Sequence, residues 1–150
     1  MIQKKEKIWM DGKVIPWEEA NVHILTHSLH YGLAVFEGIR CYLCYDGRPA
    51  VFRLKEHVDR LFDSAQIGDL KVPFSKKEIS EACKETLRVN QLKEGYIRPI
   101  VFIGDGVMGV YPRKSNSGFN HHLVMGGLSG RRSFGEGNPY KSFFLHPAPC

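Results

Sequence analysis

Short strands, then two helices, then a further strand predict an α+β domain: a mostly antiparallel sheet with two helices packed on it. Three observations carry that reading. Asp11-Gly12 separates two short apolar runs, the signal of a tight hairpin. Leu54, Val58, Leu61, Phe62 and Ala65 recur at helical spacing, and a second helix follows at Ser75. Tyr96 to Ile103 is rich in β-formers and closes the pattern.

The elements follow in order. Met1 to Glu6 is charged and is expected to fray. Lys7 to Trp17 is the hairpin, with Ile8-Trp9-Met10 and Val14-Ile15 as its strands. Glu18 to Ile24 connects, with a short strand expected at Val22 to Ile24. Phe36 to Tyr45 is the central strand, Asp46-Gly47 turns it, and Ala50 to Arg53 returns. Lys55 to Gly68 is helical, and Gly68 stops the helix. Ser75-Lys76-Lys77-Glu78 is a capping box, the hydroxyl bonding the Glu78 amide and the carboxylate reaching back to the cap amide. Ile79, Ala82, Cys83, Thr86 and Leu87 form the inner face of that helix, and Gly95 follows its end. Tyr96 to Ile103 then runs into an expected loop at Gly104-Asp105-Gly106.

At 150 residues the chain has room for one moderate core. Its 43% apolar and 25% charged residues are ordinary for a soluble domain. No apolar run is long enough for a membrane span, and the start has no signal-peptide pattern. Cys41, Cys44, Cys83 and Cys150 are read as free thiols of a cytoplasmic protein. Cys41 and Cys44 fall on opposite faces of a strand, which suits neither a metal knuckle nor a redox pair. The net charge of +5 belongs to the end of the chain. Residues 1–112 carry 16 basic and 15 acidic side chains, residues 113–150 five and one. The body therefore offers no nucleic-acid surface.

The stretch from His27 to Tyr42 concentrates the chemistry. As a strand, its end places Phe36, Gly38 and Arg40 on one face and Glu37, Ile39 and Cys41 on the other. Phe36 and Arg40 then flank a position without a side chain. This can be the floor of a pocket for a small anion with an apolar part, or a strand with one exposed arginine. Tyr96 and Arg98 likewise share a face, with Ile97 opposite. A phenol and a guanidinium pointing together suit a carboxylate, or make a cross-strand polar pair. Arg60, beside the apolar stripe of the first helix, is either a surface charge or a planar, two-pronged phosphate ligand. His23, His27 and His30 lie close in sequence, but the spacing fits no common zinc pattern and no cysteine joins them, so no metal site is expected.

Three ordered motifs carry a family resemblance: Tyr31-Gly32 with Phe36-Glu37-Gly38-Ile39-Arg40, His57 to Ala65, and Tyr96-Ile97-Arg98-Pro99. Together they resemble the branched-chain amino-acid aminotransferases, the pyridoxal-phosphate enzymes of fold type IV, from about Ile8 to Pro112. D-amino-acid aminotransferases and aminodeoxychorismate lyases share the scaffold, but this combination of motifs looks like the branched-chain group. The resemblance implies a small N-terminal domain that folds against a larger barrel-like one, with pyridoxal phosphate between them. It implies transfer of an amino group between Leu, Ile or Val and 2-oxoglutarate. Arg60 would hold the cofactor phosphate, and Tyr96 and Arg98 the substrate carboxylate. Phe36, Tyr31, Gly38, Arg40 and the loop at Met108-Gly109-Val110 would line the rest of the substrate pocket, some of them across a homo-oligomer interface. An apolar pocket of this kind does not rank Leu, Ile and Val, because one methylene discriminates only modestly.

In the family resembled, a lysine forms a Schiff base with the cofactor and moves the α-proton. That lysine lies in the large domain. No lysine here stands in a matching context; Lys114 and Lys141 fall in the last segment. Two regions are therefore expected: a small aminotransferase domain at 1–112 and an irregular, disordered tail at 113–150, rich in Ser, Gly, Asn and Arg. Read one base out of frame from Met125, the codons permit a string beginning Trp-Gly-Ala-Tyr-Leu-Gly that is similar to the family's continuation. The tail is accordingly read as out of frame, and the chain as an aminotransferase small domain truncated before its catalytic lysine and inactive alone. The alternative is a non-catalytic small-domain protein acting only through a partner subunit.

Overall fold

The computed structural model describes residues 5–106 and 119–128. Lys7–Met10 (β1) and Lys13–Pro16 (β2) form the expected hairpin. Asp11 and Gly12 both take positive φ, 47° and 88°, which matches the twist of the strands they join. The turn also does something its sequence does not announce. The Asp11 carboxylate accepts the Leu123 amide at 2.8 Å and pairs with His122 Nδ1 at 2.6 Å, fastening the hairpin tip to a distant strand.

That strand is β7, Phe119–Leu128. Among the described residues it lies between β1 and the long strand β6, Gly95–Gly106, in a seven-stranded sheet of order β2-β1-β7-β6-β4-β5, with β3 also paired to β6. Every pairing is antiparallel. The expected boundary at 112 is thus overturned for residues 119–128. Leu123 and Met125 are fully buried in the core, so the segment read as tail supplies an interior strand. Residues 113–118 and 129–150 of the expected tail lie outside the described residues. The loop expected at Gly104-Asp105-Gly106 is instead the end of β6, paired with β7 across an irregularity between Ile103 and Gly106.

The expected central strand is split. Ala34–Phe36 is β3 and Ile39–Leu43 is β4, and both pair with the same edge of β6. Phe36 faces Ile100 and Ile39 faces Ile97, so the register is continuous and only Glu37-Gly38 drops out. The cause is Pro99. Glu37 N donates to Pro99 O at 3.0 Å, but Pro99 has no N–H to return the bond. Pro49–Val51 (β5) completes the sheet. No strand forms at Val22 to Ile24. A short helix, His27–Tyr31 (α1), follows instead and ends at Gly32, which takes φ 73°. The Ser28 hydroxyl joins α1 to β6 by accepting the Ile103 amide at 2.8 Å.

Leu54–Ile67 (α2) and Lys76–Val89 (α3) cover one face of the sheet. Val58, Leu61 and Ala65 of α2 are buried, with Leu54 and Phe62 packed against them. All five inner-face residues of α3 are buried, and Ser75 and Glu78 make both bonds of the capping box. These helices meet Trp9, Ile39, Cys41, Ile97, Val101, Ile103, Leu123 and Met125. The α+β class with two helices on an antiparallel sheet holds, and α1 adds a third helix.

Cys41 and Cys83 are free and buried. Cys44 is disulfide-bonded, so the expectation of free thiols fails there. Among the described residues, no helix is long and apolar enough to cross a membrane.

Asn90, just past α3, locks the first strand to the helices. Its side chain accepts the Lys7 amide at 3.0 Å and donates to the Lys7 and Thr86 carbonyls at 2.9 and 2.8 Å. Asn90→Ala removes these three hydrogen bonds, and urea denaturation is expected to read a loss of about 1–3 kcal/mol. A loss below about 0.5 kcal/mol would mean that water replaces the amide without cost.

Candidate functional site

The side chains that β3, β4 and β6 turn away from α2 and α3 form one group. The Arg98 guanidinium lies over the Phe36 ring at 4.4 Å and beside the Tyr96 ring at 5.1 Å. Arg98 Nη2 donates to the Tyr96 hydroxyl at 2.6 Å. That hydroxyl occupies the space a side chain at Gly38 would fill, and a Cβ built there would overlap it. Glycine at 38 leaves room for this close approach, and any side chain there would have to displace the Tyr96 ring end; its backbone angles do not call for glycine. Arg40 stands opposite Tyr96 in the register. The predicted face of Phe36, Gly38 and Arg40 and the predicted pair of Tyr96 and Arg98 thus meet in one place.

Arg98 Nε is buried and, among the described residues, has no hydrogen-bond partner. A buried guanidinium donor left open is costly, and an acceptor arriving at that point recovers the cost. Phe36 is 58% exposed beside it, an apolar wall open to solvent. An open cationic donor next to an exposed ring suits a carboxylate attached to a hydrocarbon chain.

Arg60 belongs to a different cluster. Glu37 points to the helix side and is 4% exposed. Arg60 donates to it twice, Nε to Oε1 at 2.5 Å and Nη2 to Oε2 at 2.7 Å. His57 Nδ1 lies 2.8 Å from Oε2. These Arg60 bonds hold the Glu37 carboxyl down to about 2, against burial, which pushes it up; the His57 bond adds to the lowering. An ionised carboxylate only accepts, so His57 carries its proton on Nδ1. The same pair raises the Arg60 pKa, chiefly through the hydrogen bonds to Glu37. The Arg60 side chain is still 65% exposed, so part of the guanidinium faces solvent.

Of the residues singled out in the sequence, Phe36, Gly38, Tyr96 and Arg98 touch, and Arg40 shares their strand face. Tyr31 sits on α1 against the His27 and His30 rings, at 4.5 and 6.3 Å. Val110 and the Met108-Gly109-Val110 loop lie outside the described residues. His30 Nε2 pairs with the Ile24 carbonyl at 2.9 Å and His23 Nδ1 accepts the Leu25 amide at 3.1 Å. Among the described residues, no group of three His, Cys, Asp or Glu could hold a metal ion. Glu37 and His57 were not expected as site residues. The signal was present: Glu37 occupies a core-facing position in the alternation of β3 and β4, and a buried carboxylate must find a cation.

Glu37 gives the fold a pH dependence of known sign. Its folded pKa of about 2 lies below the ordinary value of 4.5. Its contribution to stability is therefore complete above about pH 4.5 and is lost as the pH falls toward 2. Asp59, held at about 2 by Lys55 and Lys76, shares part of that window. Stability measured by denaturant from pH 6 to 2.5 is expected to fall in the parent chain. The fall should be shallower, not absent, in Glu37→Gln; an unchanged slope would show that the ionised carboxylate contributes nothing.

Residues 34–122 match the family described as "Amino-transferase class IV". The branched-chain-amino-acid aminotransferase of Escherichia coli (strain K12) is 50% identical over 110 residues, which are 73% of this chain and 35% of that protein. Its counterpart from Pseudomonas aeruginosa is 43% identical over 136 residues, 91% of this chain and 43% of that protein. Both the family match and this second relative run past Pro112, beyond the end expected for the resemblance. Among solved structures, the E. coli branched-chain amino acid aminotransferase superposes with a TM-score of 0.82 at 41% identity, over 89% of this chain and 42% of that one. The branched-chain amino acid aminotransferase of Thermoproteus uzoniensis with norvaline gives 0.74 at 38%, over 82% and 40%. The chain thus spans well under half the length of these relatives, and its fold is that of the small domain of fold type IV aminotransferases. With more than half of its residues matched, the chain belongs to the class IV aminotransferase family.

Proposed function

We propose that this chain is the small domain of a pyridoxal-phosphate-dependent aminotransferase acting on branched-chain amino acids and their 2-oxo acids. The observation that carries the reading is the Arg98 Nε donor, buried and open between the Phe36 ring and the Tyr96 phenol. It offers one cationic point for a carboxylate and one apolar wall for a hydrocarbon chain. In the relatives, structures with pyridoxamine 5'-phosphate and with 4-methylvaleric acid are known. Both ligand types suit the groups found here.

Arg60 would hold the cofactor's phosphate with the part of its guanidinium that Glu37 leaves exposed. Bound pyridoxal phosphate supplies the electron sink that lets a proton leave the α-carbon of the amino acid. The residues described here would bind and orient. Arg98 and Tyr96 would fix the substrate carboxylate, Phe36 would exclude water from the side chain, and Gly38 would keep the space for the phenol. Tyr31, Arg40 and Val110 complete the proposed substrate set. A second copy of the protein would cover the exposed Ile24, Leu25, Leu29 and Tyr31 around α1. The buried thiols of Cys41 and Cys83 fit a cytoplasmic location, whereas the Cys44 disulfide speaks against a reducing compartment. The out-of-frame string supports the same reading, because it starts at Met125, a core residue of β7, and is similar to the family's continuation from there.

The direct test is an exchange: residues 8–125 replace the matching segment of the E. coli enzyme. The chimera is expected to transfer amino groups from Leu, Ile and Val to 2-oxoglutarate. A chimera that folds and keeps its cofactor yet fails to turn over would reject the proposal. In that background Arg98→Lys should raise KM for all three substrates together while cofactor retention holds, because Lys loses the planar fork. Arg60→Ala should do the reverse and release cofactor first. Gly38→Ala should push the Tyr96 hydroxyl aside and raise all three KM values by about tenfold or more, the scale of one well-placed charged hydrogen bond. An effect on one substrate alone would move Arg98 to the side-chain pocket.

A further inference from the structure

The bonds between Arg60 and Glu37 define which edge of the guanidinium is left for an anion. Nε and Nη2 donate to the two oxygens of Glu37, so that side is filled. The Nη1 hydrogens and the outer hydrogen of Nη2 remain, on a side chain that is 65% exposed. Glu37 is itself held. Its Oε2 receives His57 Nδ1 at 2.8 Å and the Gly38 amide at 3.3 Å, and its own amide is bonded to Pro99. A buried carboxylate gripped by α2, β6 and its own chain is a fixed reference for a long, flexible arginine.

We propose that Glu37, clamped by His57 and the Gly38 amide, is a positioning residue for phosphate binding: it locks the plane of Arg60 so that the Nη edge faces the incoming anion. The inference rests on the reading of Arg60 as a phosphate ligand. Charge and positioning predict opposite signs. Removing a carboxylate beside the guanidinium makes the site more positive and, on charge alone, tightens anion binding. In Glu37→Gln the amide group would set donor against donor at one Arg60 nitrogen, break the two-pronged bond and return rotamer freedom to the arginine. Positioning therefore predicts weaker binding.

The test uses the full 150-residue chain, inorganic phosphate as probe, and the Arg60 Nε–Hε signal in 15N NMR. In the parent chain that signal should be sharp and should move with phosphate. Glu37→Gln should weaken phosphate binding about three- to tenfold, the effect of losing one or two oriented hydrogen bonds, and should broaden the signal. Ile39→Val, at a fully buried neighbour that does not bond Arg60, should lower stability and leave phosphate affinity unchanged; a matching loss of affinity there would assign the effect to fold damage and overturn the inference. If Glu37→Gln does not fold, His57→Phe, which removes one clamp only, should give a smaller loss of the same sign, and unchanged or tighter binding overturns the proposal. Tighter or equal binding in Glu37→Gln, with Arg60→Ala abolishing binding, overturns the positioning role and leaves Arg60 as the phosphate ligand. Unchanged binding in Arg60→Ala removes both.

Discussion

A carboxylate in an apolar interior is tolerated only when its charge is answered at once. Glu37 is that carboxylate, and much of the site depends on how it is answered. It stands where β3 ends and β4 begins, and its side-chain partners, Arg60 and His57, come from α2. The ion pair therefore joins the sheet to the helix at the point where the ladder of β3 and β4 with β6 is interrupted. The exposure of Arg60 keeps the pair from being a plain structural bridge. One partner is buried and fixed, the other reaches solvent, and the charge is carried from the core to the surface.

Pro99 sets the other condition. By withholding one hydrogen bond it opens the gap at Glu37-Gly38, and by alternation it fixes what each face of the gap receives. Glu37, Ile39 and Ile97 go to the helices; Phe36, Gly38, Tyr96 and Arg98 go to the opposite side. The site is thus assembled by the pleat. Two short strands and one long one deliver an aromatic ring, a phenol and a guanidinium to one place without any loop having to be ordered first.

What the sequence made legible was local. The Asp11-Gly12 turn, the capping box at Ser75 and the buried stripes of α2 and α3 each depend on residues within a turn or two of one another, and each is found where periodicity places it. The alternation of 36–41 and 96–98 also held, because a side-chain period of two survives an interruption that keeps register. Longer-range relations were hidden. Asp11 meets Leu123 and His122, Asn90 meets Lys7, and Glu37 meets Arg60 only after folding. The strand β7 was missed because its surroundings are rich in Ser, Gly and Asn, and its alternation of Leu123 and Met125 is too short to stand out. The helix α1 was missed for a similar reason: five residues give less than two turns of pattern.

The position of β7 has a consequence for how the chain is made. Ile8 pairs with Gly126, and Trp9 with Met125. The strand β1 thus leaves the ribosome long before β7 and waits for it to gain an inner neighbour. Until then β1 carries an open edge beside a finished turn, the kind of surface that recruits other chains. Closing so wide a separation in sequence is slow, since the entropy of the intervening chain is lost before the contact forms. Synthesis that ended before Phe119 would leave the hairpin without its inner neighbour. The ten residues of β7 therefore decide whether the nascent domain becomes one sheet or stays two pieces exposed to aggregation.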